Sequence, residues 1–305
     1  MLHRRHALFA LGAMVLAATP VVAQAAPAKL NVVASFSILG DLVANVGGDR
    51  VALKVLVGPN SDAHVFAPSP ADAKTLAAAK LVFVNGLGFE GWMTRLVKAS
   101  GSKAPVVVAT TGVAPRKMDA EEHHGHDHAE ETDPHAWQSV ANAKIYIANI
   151  RDGLIAADPA GKDTYEKNAA AYLTKLDAME HDVRDAVARI APERRRIITT
   201  HDAFGYFGAA YGVEFIAPQG VSTESEASAK DVARIVRQIR KQKVPAVFLE
   251  NVTDPRLVKR IADETGAKIG GTLYSDALTA AGGDAPTYLD MMRHNIRTLS
   301  AALMS

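Results

Sequence analysis

Between Pro159 and Pro192 the chain runs through "AGKDTYEKNAAAYLTKLDAMEHDVRDAVARIA" without a proline, in residues that favour helix. A helix of roughly 30 residues would span about 45 Å. That is too long for one small domain, so the stretch 159–192 is expected to be a rigid strut joining two. The segments on either side support this. Before it come apolar runs, "LNVVAS" (30–35), "VALKVLVG" (51–58), "LVFVNG" (81–86) and "APVVVAT" (104–110), alternating with the helical patterns "ILGDLVANVGG" and "SPADAKTLAAAK". After it come "RRIITT" (195–200), "VEFIAP" (213–218), "PAVFLEN" (245–251) and "AKIGGTL", alternating with "HDAFGYFGAAYG", "SAKDVARIVRQIRKQK" and "DPRLVKRIADETG". Continuous apolar strands alternating with helices predict parallel sheets covered on both faces. The same order of elements twice predicts two similar α/β lobes, 26–158 and 193–305, joined by the long helix. Ligands of open α/β sheets bind at the carboxyl ends of the strands, so two facing sheets would enclose a shared cleft.

The N-terminus reads as an export signal. "MLHRRH" is basic, "ALFALGAMVLAATPVVA" is a short apolar run broken by Gly12 and Pro20, and Ala23-Gln24-Ala25 is a small-x-small cleavage site. Residues 1–25 are therefore expected to be removed. Arg4-Arg5 leaves Sec and Tat export both open. The chain has no cysteine, so export without disulfides or a lipid anchor is expected, and the predicted location is a Gram-negative periplasm. Any metal must then be held by His, Asp, Glu or water. The formal net charge of +1, with no basic stripe interleaved with aromatics, gives no nucleic-acid footprint.

Four residues stand where the predicted cleft needs them. His64 in "SDAHVF" follows the second strand, and His135 lies in "DPHAW". His201 begins the helix expected after "IITT", and Asp276 in "LYSDAL" follows the last apolar strand. Three imidazoles and a carboxylate make a closed shell for four-coordinate Zn²⁺, whereas Mn²⁺ favours more oxygen. Taken singly, each has an ordinary alternative: a hydrogen-bonded histidine at a strand end, a turn, or a helix cap. Their spacing is too wide for a local motif to join them.

The segments "SDAHVFAPSPAD", "TDPHAWQS", "TTHDAFGYFGAAYG" and "TLYSDAL" resemble, in order, the signature segments of the cluster A-I solute-binding proteins. These are the ZnuA/TroA-like zinc- and manganese-binding components of bacterial ABC transporters. The resemblance runs from about Leu30 to the C-terminus. It implies two α/β lobes, a rigid connecting helix and one metal in the cleft, with the metal ligands on His64, His135, His201 and Asp276. It also implies an inner-membrane ABC permease as partner. Manganese-type members resemble "S-E" at position 201, so His201 points to zinc. Asp276 is shared with manganese binders, which keeps manganese, or iron, as the alternative. "STESEASAKD" departs from the family's Glu-Pro-Ser form by having Ala227 in place of proline.

Glu250, ending "AVFLE", is either a partner to an imidazole N–H or a cap for the following turn. His181 is read as solvated on the long helix and His294 as a structural residue of the last one. Trp92 and Trp137 are read as packing. "EEHHGHDHAEE" (121–131) gathers His123, His124, His126 and His128 among acids. This suits weak, mobile zinc capture or docking of a periplasmic metallochaperone, the alternative being a solvated loop. A zinc hydrolase would need an open metal position and a general base, and there is no H-E-x-x-H and no nucleophile motif. An adhesin would need a surface anchor. The expectation is a monomeric periplasmic zinc-binding protein for ABC uptake, not an enzyme.

Overall fold

The computed structural model describes residues 28–117, 132–242 and 244–304. The export signal and the His-rich loop 121–131 lie outside the described residues. Two four-stranded sheets carry the fold. The first holds β1 (Leu30–Phe36), β2 (Val51–Val57), β3 (Leu81–Val84) and β4 (Val106–Val108) in the order β2-β1-β3-β4. Its connections carry α1 (Ser37–Gly47), α2 (Pro70–Ala77) and α3 (Met93–Ser100). A two-residue ribbon, β5 (Arg116–Lys117) with β6 (Thr132–Asp133), is antiparallel and leads toward α4 (Val140–Ala157).

After α5 (Lys162–Ala188), the second sheet contains β7 (Arg196–Ile198), β8 (Glu214–Ile216), β9 (Ala246–Glu250) and β10 (Lys268–Leu273). Its connections carry α6 (Gly205–Tyr211), α7 (Ala229–Gln242) and α8 (Pro255–Thr265), and α9 (Tyr288–Met304) closes the chain. Its order is β10-β9-β7-β8. Read from the other edge, both sheets follow second, first, third, fourth, and every pairing in both is parallel. The repeated element order in the sequence is thus a repeated topology. Parallel neighbours need a crossover, and the amphipathic stretches between the strands supply it.

Local chemistry sets the boundaries. Ser69 caps α2 in a capping box with Asp72, and Pro70 occupies the first turn. Gly48 ends α1 at φ +53°, a conformation that favours glycine. Several strands are shorter than their apolar runs. In β7 the run "RRIITT" is a strand only to Ile198: the Thr199 N–H still donates to the Ile216 carbonyl of β8, but the Thr200 N–H is taken by Glu250. For the same reason His201 does not begin a helix. It lies in the strand-to-helix loop, and α6 starts at Gly205.

The strut α5 is 27 residues long, about 40 Å. Its ends are set by short 3-10 turns at Pro159–Gly161 and Pro192–Arg194. Tyr165, Ala169, Tyr172, Leu176, Met179, Val183 and Val187 form one buried stripe along it, the three- and four-residue spacing of a helix face. That stripe packs on α1 and α4 of the first lobe and on α9, and it touches α6 of the second. The lobes are fused as well as bridged. One continuous apolar cluster includes Val33 and Phe83 of the first sheet together with Phe248 and Leu273 of the second. Hydrogen bonds cross between them: Leu278 N–H to Ser37 Oγ, Asn60 N–H to the Leu278 carbonyl, and the Tyr288 hydroxyl to the Trp137 carbonyl at 2.7 Å.

Swinging the lobes apart would expose that shared core to water, where apolar surface is disfavoured at roughly 25 cal/mol per Å². Solution scattering of the metal-free and metal-loaded protein should therefore give the same radius of gyration within error. A compaction of several ångströms on adding metal, as a hinge closure produces, would contradict the fused-lobe reading.

Candidate metal centre

His64 lies in the loop between β2 and α2, and His135 between β6 and the 3-10 turn Ala136–Gln138. His201 follows β7, and Asp276 lies in the loop between β10 and α9. Four segments that are distant in sequence thus end at one point. One ligating atom of each residue lies within 4.8 Å of the other three. His64 is 7% exposed and the other three 0%. His64 Nε2 is 3.3 Å from His135 Nε2. Asp276 Oδ2 lies 3.1 Å from His201 Nε2 and 3.3 Å from His64 Nε2, and Oδ1 lies 3.5 Å from His135 Nε2. A four-coordinate ion with bonds of about 2.0–2.1 Å would have donor–donor edges of about 3.3 Å.

Carboxylates fix the orientation of two rings. Asp133 Oδ1 lies 2.8 Å from His135 Nδ1. Glu250 Oε2 lies 2.6 Å from His201 Nδ1, while its Oε1 accepts the N–H groups of Thr200 at 2.7 Å and His201 at 3.0 Å. A carboxylate on Nδ1 keeps the proton there and turns Nε2 toward the cluster. Glu250 closes β9 and meets the loop after β7, and these are the two strands at which the second sheet reverses its winding. In the first sheet Glu90 likewise ties the end of β1 to the loop after β3. It accepts from Ser35 Oγ and from the N–H groups of Asn85 and Gly86.

Asp62 and Asp133 were not singled out from the sequence, although a signal was there. "SDAH" and "TDPH" are both Asp-x-His. In each, the aspartate Oδ1 accepts the backbone N–H of the histidine two residues on, at 2.9 Å, a local Asx-type turn. Asp276 is held from behind. Trp137 Nε1 and Gln138 Nε2 both donate to the carbonyl of Ser275, at 3.0 and 2.8 Å. Phe36, Phe89 and Trp137 pack edge-on or tilted with ring centroids 4.9–5.0 Å apart, and His64 stands edge-on to Phe89 at 4.7 Å. Trp92 is also packed, with its Nε1 donating to the Ala63 carbonyl.

The remaining described histidines stand apart from the cluster. His181 is exposed on α5 near Asp185. His294 contacts the Thr272 carbonyl and the Tyr274 ring. Among the described residues no other group of three or more His, Asp or Glu side chains gathers in this way.

At His135, His201 and Asp276 burial opposes charge, and pairing overcomes it. Burial alone would depress His135, but Asp276 and Asp133 carry it up to about 9. Burial likewise opposes the His201 imidazolium, yet Glu250 and Asp276 raise its pKa well above the usual range. Burial would raise Asp276, but His135 and His201 hold it well below the usual carboxylate range. The pairing thus favours an ionised Asp276 beside His135 and His201 in their imidazolium forms. A cation that takes the Nε2 positions must displace their protons.

The family described as zinc-uptake complex component A, periplasmic, matches residues 32–302. The chain belongs to this family. It is similar to the manganese-binding lipoprotein MntA of Halalkalibacterium halodurans, 35% identical over 274 residues, which cover 90% of this chain and 88% of that protein. It is also similar to the iron-binding protein YfeA of Yersinia pestis, 32% identical over 272 residues, covering 89% and 86%. Among solved structures, the periplasmic zinc binding protein TroA from Treponema pallidum superposes with a TM-score of 0.82 at 33% identity, covering 90% of this chain and 99% of that one. An Mn-bound periplasmic metal binding protein from Candidatus Liberibacter asiaticus gives 0.80 at 30% identity, covering 90% and 100%. As a member of the family the chain is a metal-binding substrate-binding protein of an ABC transporter, not an enzyme. Such a component implies an associated membrane permease. No helix among the described residues is long and apolar enough to cross a membrane.

Two outcomes follow from the geometry. Asp133→Asn removes the anion on His135 Nδ1 while keeping the side chain's shape, and it should weaken metal binding by about 10–100-fold. Competition titration against a chromophoric chelator checks this, and unchanged affinity would remove Asp133 from the site. Because the His135 pKa lies near 9, the proton must be displaced at every pH below that. Affinity should therefore fall as pH drops from about 9, by about tenfold per pH unit for each proton released. Calorimetry at pH 7 in buffers of different ionisation enthalpy should show more than one proton released per ion. Zero protons released would contradict the imidazolium reading.

Proposed function

We propose that the chain is a periplasmic zinc-capture protein. It binds one Zn²⁺ through the Nε2 atoms of His64, His135 and His201 and through Asp276, and delivers it to the permease of its transporter. The observation that carries the reading is the donor set itself: three ring nitrogens and a carboxylate, with four separations of 3.1–3.5 Å and all four donors within 4.8 Å of one another, a set that a four-coordinate zinc could draw together. Asp133 and Glu250 orient two of the rings. Four protein donors leave no open position for an activated water, so a hydrolase is not favoured. Manganese is the second reading. It is favoured by Asp276 Oδ1, which is buried without a hydrogen-bond partner and offers a second oxygen of the kind Mn²⁺ prefers. Zinc-named, manganese-named and iron-named relatives are all similar to this chain.

The His-rich loop 121–131 stays outside the tight site in this reading. Ordering a loop around an ion costs about 1–2 kcal/mol per residue, so the loop serves weak capture or presents zinc to a metallochaperone.

Purified metal-free protein should take up one tight equivalent of Zn²⁺, with further equivalents weak, and prefer it to Mn²⁺ in direct competition. His201→Ala should abolish tight binding, because an incomplete tetrahedron remains, while His294→Ala leaves it intact. Tight zinc binding by His201→Ala would sink the ligand assignment. A preference for Mn²⁺ in the wild type would move the function to manganese uptake with the same residues.

A further inference from the structure

The metal-binding residues are buried and the lobes share one core, so an ion needs a local way in and out. Two cavities lie beside the site. One, of about 520 Å³, is lined by His64, Phe89 and Pro134 on one side and by Val221, Ser222 and Glu224 on the other. His64 is the one member of the cluster that reaches it, so this cavity is the vestibule of the site. The second, of about 450 Å³, is lined by Asp62, Thr200, Gln219, Thr223, Glu226 and Val252 among others. Segment 219–227 faces both. It is a thin strap between β8 and α7 with empty space on each side.

The strap is pinned at its root. Gln219 N–H donates to the Thr200 carbonyl at 3.2 Å, and Asp202 N–H to the Gly220 carbonyl at 3.1 Å. Its tip reaches the first lobe through the Thr223 hydroxyl, which donates to Asp62 Oδ2 at 2.6 Å. The other oxygen of that carboxylate accepts the His64 N–H. Two further bonds, Gln219 Nε2 to the Ser225 carbonyl and Glu224 N–H to Ser222 Oγ, stay within the strap and move with it. The second cavity is polar and short of partners. Thr200 is 2% exposed, and its hydroxyl, like that of Thr253 across the cavity, has no hydrogen-bond partner. Buried polar groups without partners are disfavoured, and a strap that swung into this space would meet them.

We propose that segment 219–227 is the gate for metal exchange and that Thr223, latched to Asp62, is the residue that holds it shut. Swinging into the second cavity opens the vestibule over His64 while the lobes keep their places. The proposal rests on the reading that the metal sits at His64, His135, His201 and Asp276. Neither partner of the latch is one of the four residues of the cluster, so breaking it should destabilise the shut state equally with and without the ion. Loading and release should then both accelerate, and the equilibrium affinity should hold. A hydrogen bond to a charged acceptor supports a change of about tenfold.

The test is stopped-flow zinc loading and zinc release to excess EDTA on the full chain. Thr223→Val should speed both by about tenfold with Kd nearly unchanged, and Thr223→Ser, which keeps the hydroxyl, should match wild type. Val252→Phe, which fills the second cavity from its far wall, should slow both. Wild-type release by Thr223→Val would overturn the gate. So would faster release with unchanged loading and a proportionally weaker Kd, which is the signature of a merely loosened site. Unaltered rates in Val252→Phe would overturn the swing into the second cavity. A wild-type chain that takes up no zinc would overturn the metal reading itself, and the gate with it.

Discussion

Asp276 is a carboxylate held wholly out of water, and the rest of the centre is arranged around that one charge. An isolated buried carboxylate would take up a proton. Here imidazoles converge on it and keep it ionised. Those rings are in turn held by Asp133 and Glu250, and Glu250 is held by backbone N–H groups. The alternating sequence of anion and ring spreads across both lobes, so neither lobe alone can make the site. Protons on His135 and His201 balance the charge of Asp276, and under the proposed function an incoming cation would displace them.

The architecture that brings these groups together also restricts how they can move. The strut, the last helix and the shared apolar cluster make the two sheets one body. Proteins that capture ligands by closing two lobes need a hinge with little core across it, and this chain has the opposite. Access must therefore come from elements with space around them, and the strap 219–227 lies between two cavities. The departure at Ala227, where the family form has proline, falls on the same strap. Proline would fix the backbone there, and alanine does not.

The two-lobe fold was legible because it repeats. Apolar runs, caps such as Ser69 and stops such as Gly48 each mark an element, and the second set appears in the order of the first. The lengths were less legible. "RRIITT" looks like a six-residue strand, but its second threonine leaves the ladder to meet Glu250, a long-range contact that no local pattern encodes. The same contact moved His201 from a helix start into a loop. The four candidate ligands stood out by their places at the ends of predicted elements, but their spacing carries no motif, and only the family resemblance joined them into one site. The partners of those ligands divide by range. Asp62 and Asp133 lie two residues before a histidine and could have been read from Asp-x-His. The pairing of Thr223 with Asp62 spans 161 residues and becomes visible only in three dimensions.

X-ray absorption spectroscopy of the protein loaded with one equivalent of zinc tests the central claim most directly. The account predicts a four-coordinate ion with nitrogen and oxygen donors at about 2.0–2.1 Å, and outer-shell scattering from three imidazole rings. A six-coordinate, oxygen-rich shell, or scattering from fewer than three imidazoles, would contradict it.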